Sequence, residues 1–161
     1  MTARLSLLLL ILLALAGCGP KAPEGVDKAM LDTAVSQAVG DPGTCVLIAE
    51  AGGGQVYRFG THAVCGRKLP DCAAGAVRTA GDLLDAAARA DKAETASCAS
   101  ASPGRRVAWA WGPIQGAPYA YAAVMEGPNT PPGIVIDDKL QAAFRKAGVG
   151  APDAPAASPP G

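Results

Sequence analysis

The sequence predicts an α+β domain: a small antiparallel sheet of two hairpins with helices packed on it, in the order helix-strand-strand-helix-strand-strand-helix. Three observations lead there. Two pairs of β-branched or alternating segments, "TCVLIAE" with "VYRFG" and "RRVAWAW" with "APYAYAAVME", are each joined by a glycine-containing turn. Three further stretches repeat apolar residues at helical spacing and end in stop signals. With 161 residues, the chain has room for one domain with its own core.

The elements follow in order. From Val26 to Val39, Leu31, Val35 and Val39 recur four apart beside Met30 and Ala34, and Gly40 stops the helix. Asp41-Pro42-Gly43 makes a turn before the buried strand 44–50. "AGGGQ" turns the chain into the strand 56–60, where Tyr57 and Phe59 alternate against Val56 and Arg58. Residues 61–78 have no clear period and read as an ordered loop. Thr79 caps the helix 80–93, with Asp82 placed for a capping box and Leu83, Leu84, Ala87 and Ala88 on the inner side. Residues 94–104 read as loop again.

The second hairpin puts Val107, Trp109 and Trp111 on one side of its first strand. Its second strand puts Tyr119, Tyr121, Ala123 and Met125 on one side, so aligned strands would gather four aromatics on one surface. "GPNTPP" breaks the chain. Thr130 and Pro131 then suit the cap and first position of a helix reaching about Ala147, with Ile136, Leu140, Ala143, Phe144 and Ala147 inward; "IVI" could instead open as a short strand. The tail 148–161 holds four prolines, buries almost nothing and is expected to be disordered.

The first eighteen residues, "MTARLSLLLLILLALAGC", carry one charge at Arg4, then an apolar run to about Ala16 and small residues before Cys18. That is the layout of an export signal. About a dozen apolar residues span only about 18 Å as a helix, against a hydrocarbon layer of about 30 Å, so a permanent transmembrane helix is not expected. Leu15-Ala16-Gly17-Cys18 resembles the lipobox of bacterial lipoprotein precursors. The resemblance implies a diacylglyceryl group on the Cys18 sulfur, cleavage after Gly17 and acylation of the new amine. It also implies a position on the periplasmic side of the envelope. Gly19, where such proteins carry Asp when kept at the inner membrane, favours the outer membrane. Two or three acyl chains hold a protein where one would not.

The expected organisation is a leader 1–17, a lipidated start and tether 18–25, a domain 26–147 and the tail 148–161. Removing the leader leaves 13 basic and 14 acidic side chains and no basic run, so there is no electrostatic footprint for nucleic acid. The expected partners are the bilayer, through Cys18, and an unidentified envelope protein or cell-wall ligand.

Cys45, Cys65, Cys72 and Cys98 form an even set in an exported chain, which implies two disulfides. Three pairings are open; position favours Cys45 with Cys65 and Cys72 with Cys98. The rival use is a metal site of His62, Cys65, Cys72 and Cys98, but no Cys-x-x-Cys pair exists and the spacing is wide. No metal or other cofactor is expected. His62, the sole histidine, suits a plain loop residue better than a general base. "GGG" at 52–54 lacks the Gly-Lys-Ser/Thr of a phosphate loop and reads as a hairpin turn. Asp137 and Asp138 suit the positive end of a helix.

Trp109, Trp111, Tyr119 and Tyr121 are the candidate ligand platform if their surface is open, and core if a helix covers it; the scarcity of aromatics favours core. The element order resembles roadblock-like domains, and also a reduced form of the sheet of penicillin-recognising serine enzymes. The latter use Ser-x-x-Lys, Ser-Asp-Asn and Lys-Thr-Gly. None of these occurs here. A non-catalytic binding or structural role is therefore expected, with a degenerate or atypical cell-wall serine hydrolase as the alternative.

Overall fold

The computed structural model describes residues 22–73 and 75–150. The leader, Cys18 and the tail beyond 150 lie outside them. The described chain is α+β, with helices on both faces of a five-stranded antiparallel sheet. In chain order its elements are α1 (Lys28–Val39), β1 (Thr44–Glu50), β2 (Gln55–Phe59), α2 (His62–Cys65), β3 (Leu69–Pro70), β4 (Val77–Arg78), α3 (Ala80–Ala87), β5 (Glu94–Ala99), β6 (Arg106–Pro113), β7 (Tyr119–Gly127) and α4 (Gly133–Lys146). The sheet order is β2-β1-β7-β6-β5, while β3 and β4 form a separate small ribbon. The two predicted hairpins are thus joined through β1 and β7, which pair over seven residues from Thr44↔Met125 to Glu50↔Tyr119.

Two cores follow from the alternation of side chains across the sheet. One face packs Val46, Ile48, Tyr57, Ala108, Ala110, Tyr121 and Ala123 under α1 and α4. The small residues at 108, 110 and 123 leave room for helix side chains such as Phe144, whose ring meets that of Tyr121 edge-on at 5.3 Å. The opposite face packs Leu47, Val107, Trp109, Ala122 and Val124 under Leu83 and Leu84 of α3 and Leu69 of the ribbon.

The helix boundaries reflect their caps. Asp27 Oδ1 accepts the Met30 N–H at 2.8 Å and starts α1. The expected capping box of α3 is present, Thr79 and Asp82 bonding each other's backbone N–H. That helix ends at Ala87, short of residue 93, because the next inward positions, Ala90 and Asp91, offer little to bury. At α4 the expected cap gives way: Thr130 bonds Gly127 O at 3.2 Å and the helix starts at Gly133 behind Pro132. The "IVI" segment is helical. Gly133 lies so close to the sheet that a Cβ would come 2.3 Å from the Trp109 carbonyl oxygen.

The packed body extends beyond 26–147. Gly148 adopts φ +83 and closes α4 with Gly148 N–H to Arg145 O and Val149 N–H to Phe144 O, which buries Val149 in the core. On the other side Pro23 is buried and the Glu24 N–H donates to the Tyr119 hydroxyl at 3.1 Å. Both chain continuations therefore lie at one pole of the sheet, with the turn after β1 and the turn 114–118, against which Gly150 sits. At the opposite pole buried Glu126 of β7 accepts from Arg67 at 2.5 Å and from the Ser100 hydroxyl, while Arg105 bonds its carbonyl at 2.8 Å.

Residues 61–78 and 94–104, both read as loop, hold α2, the β3–β4 ribbon and β5. The segment β5, "ETASCA", has no large apolar residue, so its strand character comes from pairing with β6 and not from burial.

Candidate binding site

The aromatic platform divides across the sheet. The register pairs Trp109 with Val124, Trp111 with Ala122 and Gly112 with Tyr121. Odd positions of β6 thus share a face with even positions of β7, and the tryptophans and tyrosines point to opposite sides. A shift of one residue would have brought them together, and the length of the connecting turn decides it. Tyr121 is fully buried under α4, and its hydroxyl donates to Asp137 Oδ1, with Gln141 Nε2 also 3.4 Å from that oxygen. Burial, followed by the Asp137 carboxylate, pushes the Tyr121 hydroxyl far above its ordinary pKa. Asp137 therefore serves the core and not the helix start, whereas Asp138 is exposed. Tyr119 is half-buried and fastens residue 24. Trp109 is fully buried and its Nε1–H donates to Pro70 O at 2.7 Å, tying the ribbon to the sheet.

Trp111, like Tyr119, is half-buried, and it lies on the other face of the sheet. Its side chain walls a cavity of about 250 Å³ between β5–β6 and the ribbon, closed by Leu83, Cys72 and Ala96. Three charged groups line it. Arg78 Nε donates to Asp71 Oδ2 at 3.2 Å, and Asp71 Oδ1 also accepts the Ala73 N–H at 2.9 Å. The side-chain carboxylate of Glu94, at the head of β5, has no charged or hydrogen-bonding partner among the described residues. With the first two charges paired, the cavity retains one free carboxylate beside an indole face. An indole face beside a carboxylate is a combination that suits a cation.

The disulfides set this geometry. Cys45 is joined to Cys65 and Cys72 to Cys98, Cα atoms 5.1 and 5.4 Å apart. The first fastens α2 to β1. The second fastens the ribbon to β5 and forms one flank of the cavity, with Cys72 in the left-handed region at φ 66. The cysteines of the rival metal set are thus divided between two bonds, and among the described residues no group of three or more His, Cys, Asp or Glu side chains is placed to hold a metal ion. His62 is exposed in the first turn of α2, with Nδ1 2.8 Å from Arg58 Nη1.

A larger, shallower depression of about 610 Å³ lies between α1 and β2. Its charges are already engaged: Lys28 Nζ is 2.6 Å from Asp32 Oδ2, and Arg58 contacts His62.

Of the cavity residues, Trp111 and Cys72 were legible in the sequence, whereas Asp71, Arg78 and Glu94 were missed. The available signal was the Thr95/Ser97 against Ala96/Cys98 alternation after Glu94. No protein family, curated protein or solved structure matches this chain.

Proposed function

We propose that this chain is a lipoprotein of the bacterial cell envelope, acylated at Cys18, facing the periplasm and favouring the outer membrane, whose domain binds a ligand or partner without catalysis. Support for attachment comes from the lipobox resemblance together with the way the domain begins. Packing starts at Ala22 and Pro23, four and five residues after Cys18. Fully extended, the four steps from Cys18 to Ala22 reach at most about 14 Å. A lipid on Cys18 therefore holds the pole with Glu24 and the turn 51–54 at the headgroup layer, and turns the Glu126 pole outward. The two disulfides suit an oxidising compartment. Support for binding comes from the Trp111 cavity, whose Glu94 carboxylate is unpaired among the described residues.

Intact-mass measurement of the full chain purified from its own membranes tests the attachment. The expected product begins at Cys18 and carries fatty-acyl mass. A product that begins elsewhere, or has no acyl mass, overturns it.

A further inference from the structure

The two outer strands of the sheet are unlike. The β1–β2 pairing is broken by a register shift between Ile48 and Ala49, and β2 carries Arg58. Irregularity and charge are how proteins keep edges from pairing with other chains. The pairing of β5 with β6 is unbroken from Glu94↔Trp111 to Ala99↔Arg106. Between Glu94 and Ser100 the strand is Thr-Ala-Ser-Cys-Ala, with no proline and no charge.

The direction of its free groups follows from one bond. Ser100 N–H bonds Arg105 O at 2.9 Å in continuation of the β5–β6 register. Antiparallel pairs alternate, so Glu94, Ala96 and Cys98 also exchange bonds with β6, and the N–H and C=O groups of Thr95, Ser97 and Ala99 point outward. The Trp111 cavity opens beneath this strand, lined by Glu94 and Ala96. Two of the exposed large apolar side chains lie on neighbouring elements: Val77, 57% exposed, beside Arg78 of the cavity, and Ile134, 55% exposed, next to Gly133, whose N–H donates to Ser97 Oγ at 2.9 Å.

We infer that the β5 edge takes an extended segment of another polypeptide as a sixth strand, with one lysine or arginine of that segment entering the cavity against Trp111 and Glu94. Main-chain bonds supply the affinity and the side-chain cavity the selectivity. The charge of the cavity decides the class of side chain, because Arg78 is already held by Asp71 and the Glu94 carboxylate has no partner among the described residues. The chain's own tail does not fit, since prolines at 152, 155, 159 and 160 remove ladder donors. A second copy fits poorly, since its β5 has no basic residue to meet Glu94.

This inference rests on the binding role proposed above and not on lipidation, so the acyl-mass result and this one are separable. The test uses the full chain, isotope-labelled and kept in detergent micelles, titrated with acetyl-Thr-Val-Thr-Lys-Thr-Val-Thr-amide. Expected are slowed amide exchange at Thr95, Ser97 and Ala99 and a shift in Trp111 emission. The same peptide with Glu in place of Lys should bind at least about fivefold more weakly. Glu94→Lys should reverse that preference while the three amides still gain protection. Absence of protection at millimolar peptide overturns the inference. Equal binding of the two peptides overturns the cavity's part in it. Protection that grows with protein concentration alone makes a second copy the occupant and overturns the choice of partner.

Discussion

The two edges of one sheet show how a small domain can close one side and leave the other open. At the β2 edge the register shift and Arg58 break up the line of backbone donors, and the Cys45–Cys65 bond pins α2 against β1 behind it. At the β5 edge the cross-link falls on the strand itself: Cys98 is tied to Cys72, so β5 is held from beneath, and among the described residues no strand pairs with its outer side. Rigidity and availability are thus separate properties of an edge strand. A disulfide beneath a strand orders its backbone without occupying its outward groups.

The contrast can be broken most severely from below. Trp109→Ala should cost about 3–5 kcal/mol in urea unfolding, because it empties the core under β6 and leaves Pro70 O without its donor. Trp111→Ala, two residues along the same strand and half-exposed, should cost clearly less while removing the emission change on peptide binding. Equal losses would mean that the two indoles share one core.

Next in size are the cross-links. Replacing Cys72 and Cys98 by serine should lower stability by roughly 3 kcal/mol in the chain-entropy picture, and replacing Cys45 and Cys65 by a similar amount. Amide exchange separates them: the first pair should loosen β5 and the ribbon, the second α2 and the start of β1. Were both variants to loosen β5 alike, the edges would not be independently held.

Glu126 sits on central β7 and reaches both sides, through Arg67 beyond α2 and through Ser100 beyond β5. Burial pushes its carboxyl up, but the Ser100 hydroxyl and the Arg67 guanidinium outweigh that and hold it below its ordinary 4.5. A folded-state value below the unfolded one means that the unfolded chain binds this proton more readily. The contribution is therefore full above about pH 4.5 and is lost as pH falls through the lower folded value. Glu126→Gln should cost about 2 kcal/mol at neutral pH and flatten the acid limb of the stability curve. A wild-type curve that stays level below pH 4.5 would remove Glu126 from that role.

The smallest effect needs no mutation. In the free chain, amide protons of Thr95, Ser97 and Ala99 should exchange faster than those of Ala96 and Cys98 on the same strand. Uniform protection along β5 would mean that its outward groups are already paired.

Legibility tracked how local each signal is. The strand 44–50, the caps at Gly40 and Thr79, and the inner side of α4 were readable because caps and periodicity act within a few residues. Of three open pairings, the place of Cys45 and Cys65 about the first predicted hairpin favoured Cys45 with Cys65 and Cys72 with Cys98, and the structure has those two bonds. β5 was not readable, since six small or polar residues become a strand only beside β6. The aromatic platform failed for a related reason: alternation within each strand was correct, but a turn's length sets which alternation faces which.

The α+β class and the elements with their own periodicity came from the chain alone, through interactions between near neighbours and the order of elements, and the cysteine positions favoured one of three pairings. Only the tertiary structure decided that the tryptophans and tyrosines part across the sheet, that Val149 and Pro23 belong to the packed body, and that Arg78, Asp71 and Glu94 meet under Trp111. Those outcomes depend on strand register and on chain segments far apart in sequence, and a period-two pattern carries no record of which partner it will face.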